Sequence, residues 1–311
     1  MIKEFAIEPT LLSDWKDCRY LIEKFGFHKG RVISKFPKNW IQLVIQASDR
    51  HSKGERNRKY IVEKLKKFKS AMVSSWRDYQ DPENWLKSAE IADEKRPFHA
   101  ILAERNPNDH CRVIAYENLS EEHALFNCPT ECSMKKNKDG FSEIAGPLLR
   151  YSKQIIFVDH YFWNVNYNFK RWGEPLKAML RNISSNEIMP RFCTSASLDG
   201  EALQDRQEKI ERNLPSFVPC GLKLEIALLD KVTGLDTHNR YILTERGGLK
   251  FPWGLDAKPD GSSDVVNLMA PEVHEAKFNE FYEPGSHGHP VVKRFVIVGT
   301  AAERDYSRKR I

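Results

Sequence analysis

Hydrophobic and polar positions change their rhythm along the chain. Through about the first ninety residues, apolar side chains recur at helical spacing over 15–25, 40–47, 60–76 and 85–92, which predicts four amphipathic helices. Breaks fall at 26–30, at Pro37, at 51–54 and at Asp81-Pro82. Beyond Pro97 the rhythm shortens. Residues 98–103 and 111–116 read as short strands, separated by the turn-rich Arg105-Asn-Pro-Asn-Asp, and predict a hairpin or two paired strands. A polar stretch rich in Lys and Asn over 132–140 marks a boundary. It divides a mainly helical N-terminal region with a short β segment, 1–138, from a second domain, 139–311.

The second domain alternates. Helical patterns cover 141–151, 169–183, 198–213 and 272–282, and strand patterns cover 154–162, 189–195 and 222–229. Two more short β runs, 239–244 and 248–251, are joined through Arg246-Gly247; a loop rich in Gly, Ser and Asp follows, and a last strand covers 294–298. Strands alternating with helices predict an α/β sandwich with a mixed, largely covered sheet. Ligands in such sheets sit at strand ends, so chemistry is sought there. No repeat interrupts the pattern.

A chain of 311 residues, 41% of them hydrophobic, has material for two cores, which excludes wholesale disorder. No run approaches 18 apolar residues, so no membrane-spanning helix is expected. Acids interrupt the N-terminal segment where a signal peptide needs an apolar run, and six scattered cysteines suit reduced thiols, both pointing to the cytoplasm. Net charge is +6, from 49 basic and 43 acidic residues, compatible with a polyanionic partner without requiring one. The excess is concentrated. Lys53, Arg56, Arg58, Lys59, Lys64, Lys66, Lys67 and Lys69 face only Glu55 and Glu63, on a segment whose apolar stripe is Ile61, Val62, Leu65 and Phe68. That face is either simply solvated or a phosphate-tracking surface, with Lys64, Lys66, Lys67 and Lys69 as its nucleic-acid contacts.

The densest chemistry lies in Thr237-His-Asn-Arg-Tyr-Ile-Leu-Thr-Glu-Arg-Gly-Gly. In an extended chain His238 and Arg240 share a face. Two cationic groups side by side favour an anion between them. Glu245 follows as the group that could fix a histidine tautomer. His238, Arg240 and Glu245 are therefore expected in one pocket.

His-x-Arg-x4-Glu resembles the His-x-Lys-x4-Asp signature of the phospholipase D superfamily. The run Ile155-Ile-Phe-Val-Asp159-His160-Tyr-Phe is similar to the first strand of such domains, and Gly254-Leu-Asp256 sits where they carry a polar loop. The resemblance spans about residues 140–311 and extends to phospholipase D-like proteins of prokaryotic defence loci. It implies a metal-independent phosphodiesterase or nuclease, without a cofactor, in which His238 forms a phosphohistidine. Arg240 would neutralise phosphoryl oxygens and Glu245 would balance the imidazole. Asp159, His160 and Asp256 complete the candidate set. Arg for Lys alters the geometry of the cation and Glu for Asp moves a carboxylate by one methylene. The alternative is accordingly a module that grips nucleic acid, lipid phosphate or a protein partner without turnover.

The family reaction uses two histidines, one attacking and one protonating the leaving group, and one motif is present. Either a homodimer pairs two copies of His238, which is the expectation, or His160 beside Asp159 serves as acid. His287 and His289 lack a following cation at the right spacing. A zinc set drawn from His110, Cys111, His123, Cys128 and Cys132 has one acceptable pair, Cys128-x3-Cys132. Adjacent His110 and Cys111 point to opposite faces of a strand, so no metal site is expected. Gly-x-Gly-x-x-Gly, a Walker loop and Gly-x-Ser-x-Gly are missing from the sequence, which leaves nucleotide-cofactor and serine-hydrolase chemistry without support.

Overall fold

The computed structural model describes residues 1–51, 54–81, 84–163, 168–198, 200–230, 239–258, 260–283 and 289–301. They form a mixed α/β protein of two compact units, one ending at Pro129 and the other beginning at Thr130. His238, the expected nucleophile, lies outside the described residues, as do Lys53 and His287.

The first unit contains β1 (Lys3–Ile7), α1 (Trp15–Glu23), β2 (Arg31–Lys35), α2 (Trp40–His51), α3 (Glu55–Lys67), β3 (Met72–Ser74), α4 (Trp85–Lys95), β4 (Ala100–Ala103) and β5 (Val113–Ala115). Three helices fall where the apolar periodicity places them; the fourth, α3, ends at Lys67, and residues 72–74, expected to continue it, form β3 instead. Asp14 caps α1 by accepting the Lys16 N–H at 2.8 Å, and Asn84 caps α4 through the Lys87 N–H at 3.0 Å, each satisfying a backbone donor that the helix leaves open. What the periodicity does not predict is a parallel five-stranded sheet, in the order β3-β2-β1-β4-β5. The region is thus α/β rather than mainly helical. Phe5 and Ile7 pack with Trp40, Val44, Ile61 and Leu65 on one face, and Ala6 packs with Trp85, Ala89 and Ala92 on the other. A strand covered on both faces has no polar side to alternate with, and at three to five residues β1, β2 and β3 are too short to stand out. The pair β4 and β5 is parallel, with Leu102 opposite Ile114, so the hairpin alternative is excluded.

The second unit contains β6 (Glu131–Lys135), α5 (Lys138–Tyr151), β7 (Ile155–Val158), α6 (Lys170–Leu180), β8 (Arg191–Ser195), α7 (Leu203–Asn213), β9 (Lys223–Leu229), β10 (Arg240–Thr244), β11 (Gly247–Phe251), β12 (Ser263–Leu268), α8 (Pro271–Tyr282) and β13 (Val291–Val298). Its eight strands run β13-β9-β8-β7-β10-β11-β12-β6. The centre, β7, β8 and β9, is parallel, and β10 enters antiparallel to β7, with Tyr241 opposite Val158. Ile156, Val158, Cys193, Tyr241 and Leu243 form one core face, against Phe281 of α8. Phe157 and Phe192 stack at 5.7 Å, and Phe141 of α5 stacks on Phe251 at 5.8 Å. The boundary therefore precedes the polar stretch. Residues 131–135 form an edge strand of the second sheet, paired with β12, and both strands are polar enough to read as loop until the pairing defines them. Among the described residues no helix is long and apolar enough to cross a membrane.

Candidate functional site

The start of β10 and the ends of the parallel strands meet at one edge of the second sheet, because β10 runs antiparallel to β7. Asp159 follows β7 and is buried. Its carboxylate accepts the Tyr161 N–H at 3.0 Å and the Leu255 N–H at 2.8 Å, and lies 3.7 Å from Arg240 Nε. Burial pushes the Asp159 carboxyl above the ordinary carboxylate range, a shift that the Leu255 N–H and the Arg240 charge oppose. Arg240 also donates to the carbonyl of Pro252 at 3.1 Å and lies over the Tyr161 ring, 5.2 Å from its centroid.

Asp256 closes the other side. It is ion-paired with Arg171 and with Lys136, whose Nζ is 3.1 Å away. Lys136 also donates to the carbonyls of Trp253, at 2.6 Å, and Gly254, at 3.0 Å. Burial lowers the Lys136 pKa, and the Asp256 charge works against that shift. Asp264 accepts the Trp253 N–H at 3.3 Å; burial raises its pKa and Lys136 opposes. The loop 252–258 is held further by bonds from the Ala257 N–H to the Arg171 carbonyl and from the Lys258 N–H to the Lys136 carbonyl. Lys136 and Arg171 escape a motif search because they come from the ends of β6 and α6, far from the His-x-Arg run in sequence.

Gly254 lets the two halves approach. Its φ is +94°, and a Cβ there would fall 2.8 Å from Asp256 Oδ1 and 3.4 Å from Asp159 Oδ2. Both facts favour glycine. Gly254→Ala is expected to cost about 1–2 kcal/mol, as read by thermal melting.

His160 is buried next to Asp159. Its ring centroid lies 5.9 Å from that of His289, and His289 Nε2 is 2.7 Å from Glu280 Oε1. Glu280 also takes a bond from Lys277 at 2.8 Å. Burial would raise the Glu280 pKa, but the bonds from His289 and Lys277 outweigh it and the group is held low. Spacing gives His289 no role; tertiary proximity brings it against His160. Behind the strand ends, buried Arg206 of α7 donates to the carbonyls of Ser195, at 2.8 Å, and Phe162, at 2.7 Å. Burial, partly offset by Glu201, pulls its pKa down to about 10.

Glu245 is not in this cluster. It lies past the other end of β10, about 17 Å along the strand from Arg240 at roughly 3.4 Å per residue. An odd separation also turns the two side chains to opposite faces. Its carboxylate instead accepts the Lys153 and Gln154 N–H groups, both at 2.9 Å, at the start of β7. The expectation of one pocket for His238, Arg240 and Glu245 is therefore corrected: Glu245 anchors the opposite end of the strand pair. Asp159, Arg240 and Asp256 do come together; His160 follows Asp159 in the chain, and its ring faces His289.

The lysines of α3, and Lys69 just beyond its end, belong to the first unit. Lys66, Lys67 and Lys69 are exposed, while Lys64 is half-buried and 3.5 Å from Glu23. Among the described residues no group of three or more His, Cys, Asp or Glu is placed to hold a metal. Cys128 is buried in the first core, and Cys132 lies on β6 of the second unit.

No family model matches the chain, and no curated protein matches it. Among solved structures, it is similar at 15% identity to TrmBL2, described as an archaeal chromatin protein with a novel mode of DNA binding, over 55% of this chain and 57% of that one, with a TM-score of 0.27. The chain thus spans a little over half the length of that structure, and a likeness this weak carries no argument.

Proposed function

We propose that the second unit is a phospholipase D-like phosphodiesterase acting on nucleic acid in the cytoplasm, in the setting of a prokaryotic defence system with its partner proteins. The observation that supports this reading is the convergence of Arg240, Asp159 and Asp256 at one strand end, with His160 next to Asp159 in the chain, as the resemblance implies for the residues flanking His238. In this mechanism a His238 ring nitrogen attacks phosphorus. A nitrogen–phosphorus bond forms as the bond from phosphorus to the leaving oxygen breaks. Arg240 faces the phosphoryl oxygens, where negative charge builds up. Asp159, fixed by two backbone donors, orients Arg240. His160 gives its proton to the leaving oxygen and is left neutral, with His289 and Glu280 beside it. Water then attacks phosphorus, giving its proton to His160, and frees His238.

Trapping tests the reading. Incubation with a labelled oligonucleotide followed by alkaline quenching is expected to leave label on the chain, and none on His238→Asn. Absence of label beside retained binding would replace the enzyme with a module that binds without turnover. One observation favours that second reading: Lys136, Arg171 and Arg240 each already face a carboxylate, Asp256 or Asp159, which lowers the net positive charge available to a phosphate.

The exposed lysines at the end of α3 and just beyond it fit a polyanionic substrate. Replacing Lys66, Lys67 and Lys69 by Ala is expected to weaken nucleic-acid binding and to flatten its salt dependence, by about 0.9 in log–log slope for each duplex phosphate that is no longer neutralised. Lys64→Ala adds least, since Lys64 already faces Glu23. An unchanged slope would make that helix face a merely solvated one.

A further inference from the structure

We infer that Tyr161 and Trp253 form a platform on which an unpaired nucleobase stacks, so that the site takes single-stranded nucleic acid; this rests on the phosphodiester reading above and names its substrate class. Trp253 is 71% exposed and Tyr161 is 41% exposed. A tryptophan usually contributes by burying its large ring, and this one leaves most of that surface in water. Among the described residues no hydrogen bond or ring contact engages its indole. The bonds that fix residue 253 run through its backbone, from its N–H to Asp264 and from Lys136 to its carbonyl, and any side chain would permit them. Tyr161 is fixed in the same way, by its N–H on Asp159. Arg240 joins the two positions: its guanidinium lies over the Tyr161 ring and donates to the carbonyl of Pro252, the residue before Trp253.

Tyr161, one face of whose ring Arg240 covers, and Trp253, next to the Pro252 carbonyl that Arg240 holds, thus both expose ring surface on segments bound to the cation assigned to the phosphate. Their backbones are already immobilised, so little ordering remains to oppose binding. Aromatic faces beside a basic group are how proteins hold unpaired strands, because every base has a π-face to stack. A base inside a duplex is already stacked on its neighbours and cannot offer that face.

The test compares a short oligo-dT strand with an abasic strand of equal length, by fluorescence anisotropy on the full chain in a His238→Asn background that prevents cleavage. Interactions with phosphate, those of α3 included, are common to both strands and cancel in the ratio. The base-bearing strand is expected to bind about tenfold tighter, Trp253→Ala to remove most of that gap, and Tyr161→Phe to keep it, since stacking needs the ring and not the hydroxyl. Equal binding of the two strands by the parent chain, or an undiminished gap in Trp253→Ala, would overturn the platform. Failure of the phosphodiester reading shows differently. Arg240→Ala should weaken both strands together, and an Arg240→Ala chain that holds both unchanged would sink that reading while leaving the aromatic platform in place.

Discussion

Replacing His238 by Asn is expected to abolish turnover while leaving the fold and much of the nucleic-acid binding intact. Asn keeps a polar side chain but cannot form the nitrogen–phosphorus bond, whereas Arg240, held by Asp159 and Pro252, remains to meet the phosphate. The loss should appear in kcat, because the missing interaction exists only along the reaction path. A residual rate within about tenfold of the parent would remove His238 from the mechanism. Mixing resolves which histidine supplies the proton. With His160 as the acid, supported within one chain by His289 and Glu280, activity in mixtures of parent and His238→Asn chains should follow the parent fraction. Suppression beyond that fraction would assign the acid to a second copy of His238 across a twofold interface. His160→Gln then separates the roles further: it should slow release of the leaving group most for poor leaving groups and least for activated aryl esters.

Asp256→Ala is expected to be the most destabilising single change at the site. Asp256 is the shared partner of two cations, Lys136 and Arg171, and both it and Lys136 are buried. Removing one partner of a buried pair leaves a desolvated charge uncompensated, which costs about 3–5 kcal/mol. That is a fifth or more of the stability of an ordinary domain, roughly 5–15 kcal/mol, and the melting transition of the second unit should fall accordingly. Lys136→Met should cost less. It leaves Asp256 still paired with Arg171, although the carbonyls of Trp253 and Gly254 lose their donor. A shift for Asp256→Ala no larger than that of an ordinary surface change, about 0.5 kcal/mol, would mean that the loop 252–258 stands without it.

The order of side chains along the chain is enough to locate the helices of both units, though it extends α3 over what is β3, and the central strands of the second. Trp40 with Val44, and Ile61 with Leu65, repeat at the spacing one helix face requires, and runs such as Ile155–Val158 are apolar enough to declare a covered strand. The same order locates the start of β10 and the end of β7 as the place for chemistry. An apolar strand that stops in Asp159-His160, and another that begins near His238 and Arg240, put charge where a sheet ends. Packing in three dimensions settles the rest. Short strands buried on two faces, β1 and β2, and polar edge strands, β6 and β12, carry no periodic signal, and β3 is hidden at the end of a helical one; their hydrogen-bonding partners define them. Spacing could not show that Lys136 and Arg171 converge on Asp256, or that His289 meets His160, since those pairs are set by which strand ends lie side by side. Glu245 makes the same point in reverse: five residues after Arg240 is close along the chain, but in an extended strand it is the far end and the other face.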